Sequence, residues 1–168
     1  MRSKISYIRN FFYAFTLIFL GCSTEDLGVD QPLTRVDLEV LQYNEWKMAE
    51  EILILINEYR SSISKSAIEF NRNSPTALAI DHCQFMIEKD SISHANFSKR
   101  NKALLEIGAT MVGENIAYGF ALSNSVVNAW IHSLSHKLIL EGNYSHVGIG
   151  VVNSSNNKNY ITALFYLK

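Results

Sequence analysis

The chain has 168 residues, of which 48% are hydrophobic and 18% charged, and its formal net charge is −1. This length suits one domain with a substantial core. The first 21 residues hold three of the fifteen basic residues and no acidic one, so the remainder has twelve basic against sixteen acidic residues, a net of −4. That balance lacks the basic footprint of nucleic-acid binding, and we expect no nucleic-acid partner.

The N-terminus has the pattern of an export signal. A basic stretch over residues 1–10 precedes an apolar run over residues 11–20, which is too short to span a membrane. Leu20-Gly21-Cys22 then resembles a bacterial lipobox. We expect residues 1–21 to be a lipoprotein signal peptide and a lipidated Cys22 to anchor the protein to a membrane. The alternative is an ordinary signal peptide that ends beside a cysteine.

Residues 22–45 are predicted to be a flexible tether, because they contain Pro32, many polar residues and no clear period. The acidic pair Glu25-Asp26 resembles the export signal of surface lipoproteins, although an ordinary polar tether explains it equally well. The predicted location is the cell envelope, with the protein lipid-anchored to the outer membrane and exposed at the surface. The folded domain is expected to span residues 46–168.

The domain alternates between helical and strand patterns. We predict helices over 47–61, 74–89 (with Ser74 as its N-cap and Pro75 at its first position) and 99–107, a helix capped by Ser123 or Ser125, and a turn over 134–140. Strand patterns cover 67–70, 111–118, 145–152 and 159–167. The segment 111–118 is apolar on both faces, which favours a central strand. Together these elements predict an α+β fold, a three-layer α-β-α sandwich around a central, mostly antiparallel sheet.

Two residues of the second helix are predicted to be structural. With Cys22 assigned to the anchor, Cys83 has no partner for an intrachain disulfide, and its helical setting favours a buried, inert thiol. His82 lies on the apolar stripe of the same helix and is expected to be a packed histidine with a backbone or water partner.

Glu114 is the most informative residue, because it is a carboxylate in the apolar segment 111–120. Burying it without a partner would cost several kcal/mol, so it needs partners or a wet cleft. His94 and His136 bracket it, and His146 follows in His-Val-Gly-Ile-Gly-Val. In this order, the motifs around these residues resemble the CAP superfamily (cysteine-rich secretory proteins, antigen 5 and pathogenesis-related 1 proteins), here as a bacterial lipoprotein member.

The resemblance implies a cleft built from His94, Glu114 and His136. It places Ser133 where many eukaryotic members have a second glutamate, and His146 is a candidate fourth polar group near the cleft. Two neutral imidazoles and a carboxylate are a familiar ligand set for zinc with an open position, so we expect weak binding of zinc or another divalent metal by His94, Glu114 and His136. A hydrogen-bonded structural cluster is the alternative.

Function is expected to be binding rather than catalysis. The resemblance implies a binding or interaction module whose cleft holds a divalent metal or a small apolar ligand, such as a lipid or sterol-like molecule, or which contacts an envelope protein. Two alternatives remain open: a peptidase-like hydrolase that uses the His-Glu site, and a structural envelope protein. No serine, threonine or cysteine lies in a recognisable nucleophile motif.

Overall fold

The computed structural model describes residues 36–168. The predicted signal peptide, Cys22 and most of the predicted tether therefore lie outside the described residues. A 3-10 helix, Glu39–Tyr43, precedes five α-helices: α1 Trp46–Ser62, α2 Ser74–Glu88, α3 Phe97–Glu106, α4 Ser123–His132 and α5 Leu134–Leu140. The strands are β1 Glu69–Phe70, β2 Met111–Tyr118, β3 His146–Asn153 and β4 Asn159–Leu167.

The four strands form one sheet in the order β1-β3-β4-β2. The pairs β3–β4 and β4–β2 are antiparallel and only the short β1–β3 pair is parallel, which confirms the mostly antiparallel sheet. The predicted central position of residues 111–118 is wrong, because β2 lies at the sheet edge. Ile116 and Ala117 are nevertheless buried, since helices lie against both faces of the strand.

Each face of the sheet carries its own helical layer. On one face, Val147, Ile149 and Phe165 pack with the buried stripes of α1 and α4. On the other face, Leu164 and Tyr166 pack with α2 and α3. The predicted three-layer α-β-α architecture is therefore confirmed.

Gly148 brings α2 close to the sheet. A Cβ at this position would lie 2.3 Å from the carbonyl carbon of Pro75 and 2.5 Å from the amide nitrogen of Thr76, both of them backbone atoms. A larger residue would push the helix away, so glycine is needed for this close approach. In the same helix Cys83 is fully buried, and burial raises the pKa of its thiol to about 12, which agrees with an inert role.

Within the described residues, the chain packs against the domain from Val36 onward, ten residues before the predicted boundary at residue 46. The Asn44 side chain donates to the carbonyl of Ile149 at 3.2 Å and accepts from the amide of Val151 at 2.7 Å. Val40 and Leu41 pack beside the second layer of helices. The segment 36–45 therefore belongs to the domain, because the side chain of Asn44 hydrogen-bonds to backbone groups of β3.

Two helix starts differ from the sequence prediction. Asn73, not Ser74, precedes the first residue of α2, and Pro75 lies in the first turn. Leu122 precedes α4, while the hydroxyl of Ser123 donates to a carboxylate oxygen of Glu51 at 2.7 Å. The serine thus links α4 to α1 instead of capping its own helix. None of the helices between residues 36 and 168 combines the length and apolarity that a membrane span requires.

Candidate functional site

Glu114 is buried and has three partner contacts. Arg100 donates from Nε to Oε2 at 2.6 Å and from Nη2 to Oε1 at 2.9 Å. Nδ1 of His94 lies 2.8 Å from Oε1. Only 2% of the Glu114 side chain and 6% of the Arg100 side chain are exposed, so this is a buried ion pair with bidentate geometry. The expectation that Glu114 needs partners is met by the guanidinium.

Sequence reasoning missed Arg100. The residue lies on the buried face of α3, three and four positions before buried Ala103 and Leu104. An arginine on an apolar helical stripe needs an anion when it is buried. That signal was present in the sequence, and Glu114 was the acidic residue in greatest need of a partner.

His94 lies on the loop between α2 and α3, and its side chain is 52% exposed. Two buried side chains fix the loop around it. Nε2 of His82 lies 2.8 Å from the carbonyl oxygen of Ser93, and Nη1 of Arg100 donates to the carbonyl of Ala95 at 2.9 Å. The predicted backbone partner of His82 is thus confirmed. An exposed imidazole is therefore held on an ordered backbone above a buried ion pair.

His136 reaches the edge of β2 from the other helical layer. It lies on α5, and its backbone carbonyl accepts a hydrogen bond from the side-chain amide of Asn115 at 3.1 Å. Burial, and secondarily the positive charge of His94, lower the pKa of His136 below the ordinary 6.5. The two imidazoles therefore lie within electrostatic range of each other, and His136 favours its neutral form.

Two buried side chains behind these histidines retain an unsatisfied polar atom. Within residues 36–168, the buried side-chain atoms without a hydrogen-bond partner are Nδ1 of His82 and Oδ1 of Asn115. The other side-chain polar atom of each residue bonds to the backbone near a histidine of the site: His82 contacts the carbonyl of Ser93, next to His94, and Asn115 contacts the carbonyl of His136. Leaving a buried polar atom unpaired costs about 1–3 kcal/mol, which marks both positions as functionally or structurally constrained.

Gly113 is explained by the packing beneath β2. A Cβ there would lie 2.4 Å from the hydroxyl oxygen of Tyr144 and 3.1 Å from Cδ1 of Ile139. Any larger residue would displace Tyr144, which is buried against Phe165 with ring centroids 5.7 Å apart. The glycine before Glu114 thus allows α5 and its following loop to pack closely on β2.

The remaining two candidate residues have other partners. Oγ of Ser133 lies 3.3 Å from Oγ of Ser135 at the junction of α4 and α5. His146 lies on β3, which β4 separates from β2. Its Nδ1 is 2.7 Å from the hydroxyl of Ser145, and its ring stacks on Tyr166 with centroids 5.1 Å apart. The structure thus places His146 in a separate cluster from Glu114.

The predicted three-ligand metal set does not fit this arrangement as it stands. Both oxygens of Glu114 already accept hydrogen bonds from Arg100, and the guanidinium would repel a dication placed beside them. Within residues 36–168, no group of three or more His, Cys, Asp or Glu side chains is arranged to hold a metal ion. His94 can still contact an external ligand, because its Nδ1 faces Glu114 and its Nε2 is left available.

Comparisons with known proteins place this fold and motif order in one family. The sequence model described as "CAP: Cysteine-rich secretory protein family" matches residues 53–166. The chain is 33% identical over 120 residues to the uncharacterized membrane protein YlbC of Bacillus subtilis. This match covers 67% of the chain but only 34% of that relative, so the chain spans about a third of its length.

Solved structures share the fold at lower identity. An outer surface protein from Borrelia burgdorferi has a TM-score of 0.65 at 21% identity, covering 73% of this chain and 93% of that one. An extracellular protein containing a SCP domain from Bacillus anthracis has a TM-score of 0.64 at 23% identity, covering 74% of this chain and 41% of that one. The family match spans more than half of the sequence, and these structures have the same architecture. The chain therefore belongs to the CAP family of cysteine-rich secretory protein domains.

Proposed function

We propose that this protein is a lipid-anchored, extracytoplasmic binding module whose ligand contacts His94 and His136. The observation that carries the proposal is the buried Glu114–Arg100 pair beneath the exposed ring of His94. A buried ion pair is weak support for stability alone, because desolvation offsets much of its attraction. Here it fixes one nitrogen of a surface imidazole and leaves the other for a ligand, which is what a preorganised recognition group requires.

The ligand classes that suit this arrangement are a weakly held divalent cation and a small molecule with an apolar body. For a cation, His94 and His136 would be the protein ligands and waters would complete the shell. Glu114 would orient His94 from behind, as carboxylates commonly do for metal-binding histidines. Zinc bound in this way would polarise its waters, and with only two protein ligands its affinity would be low.

Calorimetric titration with zinc at pH 7.5 tests the cation proposal on the chain from Ser23 onward. We expect a binding heat in the wild type that His94→Ala and His136→Ala each remove. His132→Ala is the matched control, since His132 is exposed on α4 and bonds the carbonyl of Asn128. Absence of heat in the wild type, or equal heat in all four proteins, would leave these histidines without a role in metal binding.

A hydrolase is the second candidate, because a carboxylate-oriented imidazole is the usual form of a general base. The ion pair argues against it. Arg100 already neutralises Glu114, so the carboxylate gives less stabilisation to an imidazolium formed during proton transfer. Fluorogenic ester and peptide substrates test this candidate, and activity lost in His94→Ala but kept in His132→Ala would favour it over simple binding.

The proposal also includes anchoring of the protein at the cell envelope. It is supported by the lipobox-like Leu20-Gly21-Cys22 and by relatives whose names describe an outer surface protein, an extracellular protein and a membrane protein. Cell fractionation of Cys22→Ser tests the anchor, which should release the protein from the membrane fraction. Protease treatment of intact cells tests surface exposure, since only a surface-exposed domain is digested.

A further inference from the structure

Helix α5 carries leucines on the side that faces away from the core. Leu140 of this seven-residue helix is fully buried, and Ile139 packs against the core. Leu134 and Leu138 are instead 77% and 62% exposed, and they lie one helical turn apart, so that their side chains are neighbours. A surface helix normally presents polar residues to solvent. We call these two exposed side chains the α5 leucine pair.

The residues beside the α5 leucine pair are basic or neutral. Ser135, His136 and Lys137 lie between the two leucines, and the helix contains no acidic residue. The ammonium of Lys137 is 3.8 Å from a carboxylate oxygen of Glu141, the residue that follows the helix. That oxygen also accepts a hydrogen bond from the hydroxyl of Tyr59 at 2.5 Å, which fixes it beside α1. An apolar surface beside a lysine, with the nearest carboxylate already paired, suits the headgroup boundary of a phospholipid bilayer.

The size of the α5 leucine pair favours a bilayer over a protein partner. Each partner of a stable protein interface contributes roughly 800 Å² of surface, which is far more than two leucine side chains supply. A bilayer needs no such area when the protein is already held at its surface, because the second contact is then intramolecular. Burial of two leucines is therefore enough to choose which face of an anchored domain touches the membrane.

The chain between the expected anchor and the domain allows this contact. Cys22 and Val36 are 14 residues apart, and at no more than about 3.6 Å per residue this segment spans at most about 50 Å. A compact domain of about 130 residues is roughly 35 Å across. The linking segment is thus long enough for any face of the domain to reach the bilayer, and the chemistry of the surface selects the face.

We propose that α5 lies on the membrane that carries the protein's anchor, with Leu134 and Leu138 inserted at the boundary between headgroups and acyl chains. The inference rests on the lipid anchor of the proposed function, but it does not require that the histidines bind a ligand. His136 lies on the same helix. The contact would therefore hold the His136 end of the site within one helix diameter, about 10–12 Å, of the membrane surface.

Quenching of tryptophan fluorescence by brominated lipids tests the proposal. The mature chain, residues 22–168, is coupled through the thiol of Cys22 to a maleimide lipid in vesicles of phosphatidylcholine and phosphatidylglycerol. Cys83 is fully buried and does not compete for the maleimide. This linkage supplies the anchor, so a negative result cannot come from missing lipidation, which fractionation of Cys22→Ser tests separately. A cooperative urea transition that matches that of the full chain shows that the coupled chain is folded.

Two reporter variants locate the contact. Leu138→Trp places a tryptophan in the α5 leucine pair, and Leu105→Trp is its control on α3, where the leucine is 46% exposed. Interfacial helices bury their apolar face about 5–10 Å into the bilayer, so brominated acyl chains should quench the Leu138→Trp reporter at least about twofold more than the control. Adding Leu134→Ser, a change at an exposed position, should cut the quenching of Leu138→Trp by about half while leaving its urea midpoint unchanged.

Two kinds of result would overturn the proposal. Equal quenching of the two reporters, or quenching that Leu134→Ser leaves unchanged, would show that the α5 leucine pair does not select the membrane contact. Sedimentation equilibrium of the uncoupled chain tests a second copy as the competing occupant. A dimer that Leu134→Ser/Leu138→Ser converts to a monomer would assign the pair to a protein interface instead of the bilayer.

Discussion

Replacing Arg100 with methionine is the sharpest test of the buried ion pair. The change keeps a long, unbranched side chain on α3 but removes the guanidinium from Glu114, of whose side chain only 2% is exposed. Removing one partner of a buried pair typically costs about 3–5 kcal/mol. The lost hydrogen bond to the carbonyl of Ala95 adds about 1 kcal/mol. We therefore expect the free energy of unfolding to fall by about 4–6 kcal/mol.

The measurement is urea unfolding at pH 7.5, followed by tryptophan fluorescence and extrapolated linearly to water. Glu114→Leu should also be strongly destabilising, because it leaves the buried guanidinium unpaired. The double variant Arg100→Met/Glu114→Leu should lose less stability than either single variant, because neither charge then remains buried alone. The coupling energy from this cycle isolates the interaction between the two side chains.

The control is a surface ion pair in the same protein. Arg72 and Glu50 lie 2.9 Å apart with side chains 57% and 43% exposed, so Glu50→Gln should cost less than about 1 kcal/mol. If Arg100→Met cost no more than this control, or if the two single losses simply added in the double variant, Glu114 would not depend on Arg100. The role given to the ion pair in holding His94 would then fail as well.

Three further predictions follow from packing and protonation. Trp130 is 1% exposed and its indole N–H donates to the carbonyl of Ile116 at 2.9 Å, so Trp130→Ala should cost about 3–5 kcal/mol, and an unchanged melting temperature would contradict its place in the core. Gly113→Ala should cost about 1–3 kcal/mol through its clash with the Tyr144 hydroxyl, and Tyr144→Phe should recover part of this loss; absence of any recovery would place the strain elsewhere. Burial, with the nearby positive charge of Arg100, lowers the pKa of His82 below 6.5, so the unfolded chain binds more protons than the folded one as the pH falls below about 6.5. The contribution of His82 to stability should be complete above pH 6.5 and should decline in more acidic solution, and urea midpoints between pH 5 and 8 should fall less steeply in His82→Asn than in the wild type.

The sequence predicted the elements of the domain closely because their patterns are local. Asn159–Leu167 and Met111–Tyr118 were both predicted with their observed bounds. Both depend on the spacing of apolar residues along one element. The predicted capping role of the serines was wrong. A serine at a helix start can hydrogen-bond to its own helix or to a neighbouring element, and Ser123 bonds to Glu51 on another helix.

The residues of this protein that need a special environment can be recognised from the sequence alone. Glu114 in an apolar strand required partners or a wet cleft, whatever the fold around it. Which partners these residues have depends on the folded chain. The choice of Arg100 for Glu114, the edge position of β2 and the separation of His146 from the histidines at that edge all depend on contacts between distant segments. Sequence spacing within one element fixes which face a residue occupies, but the order of strands and the packing of helices against them fix what that face meets.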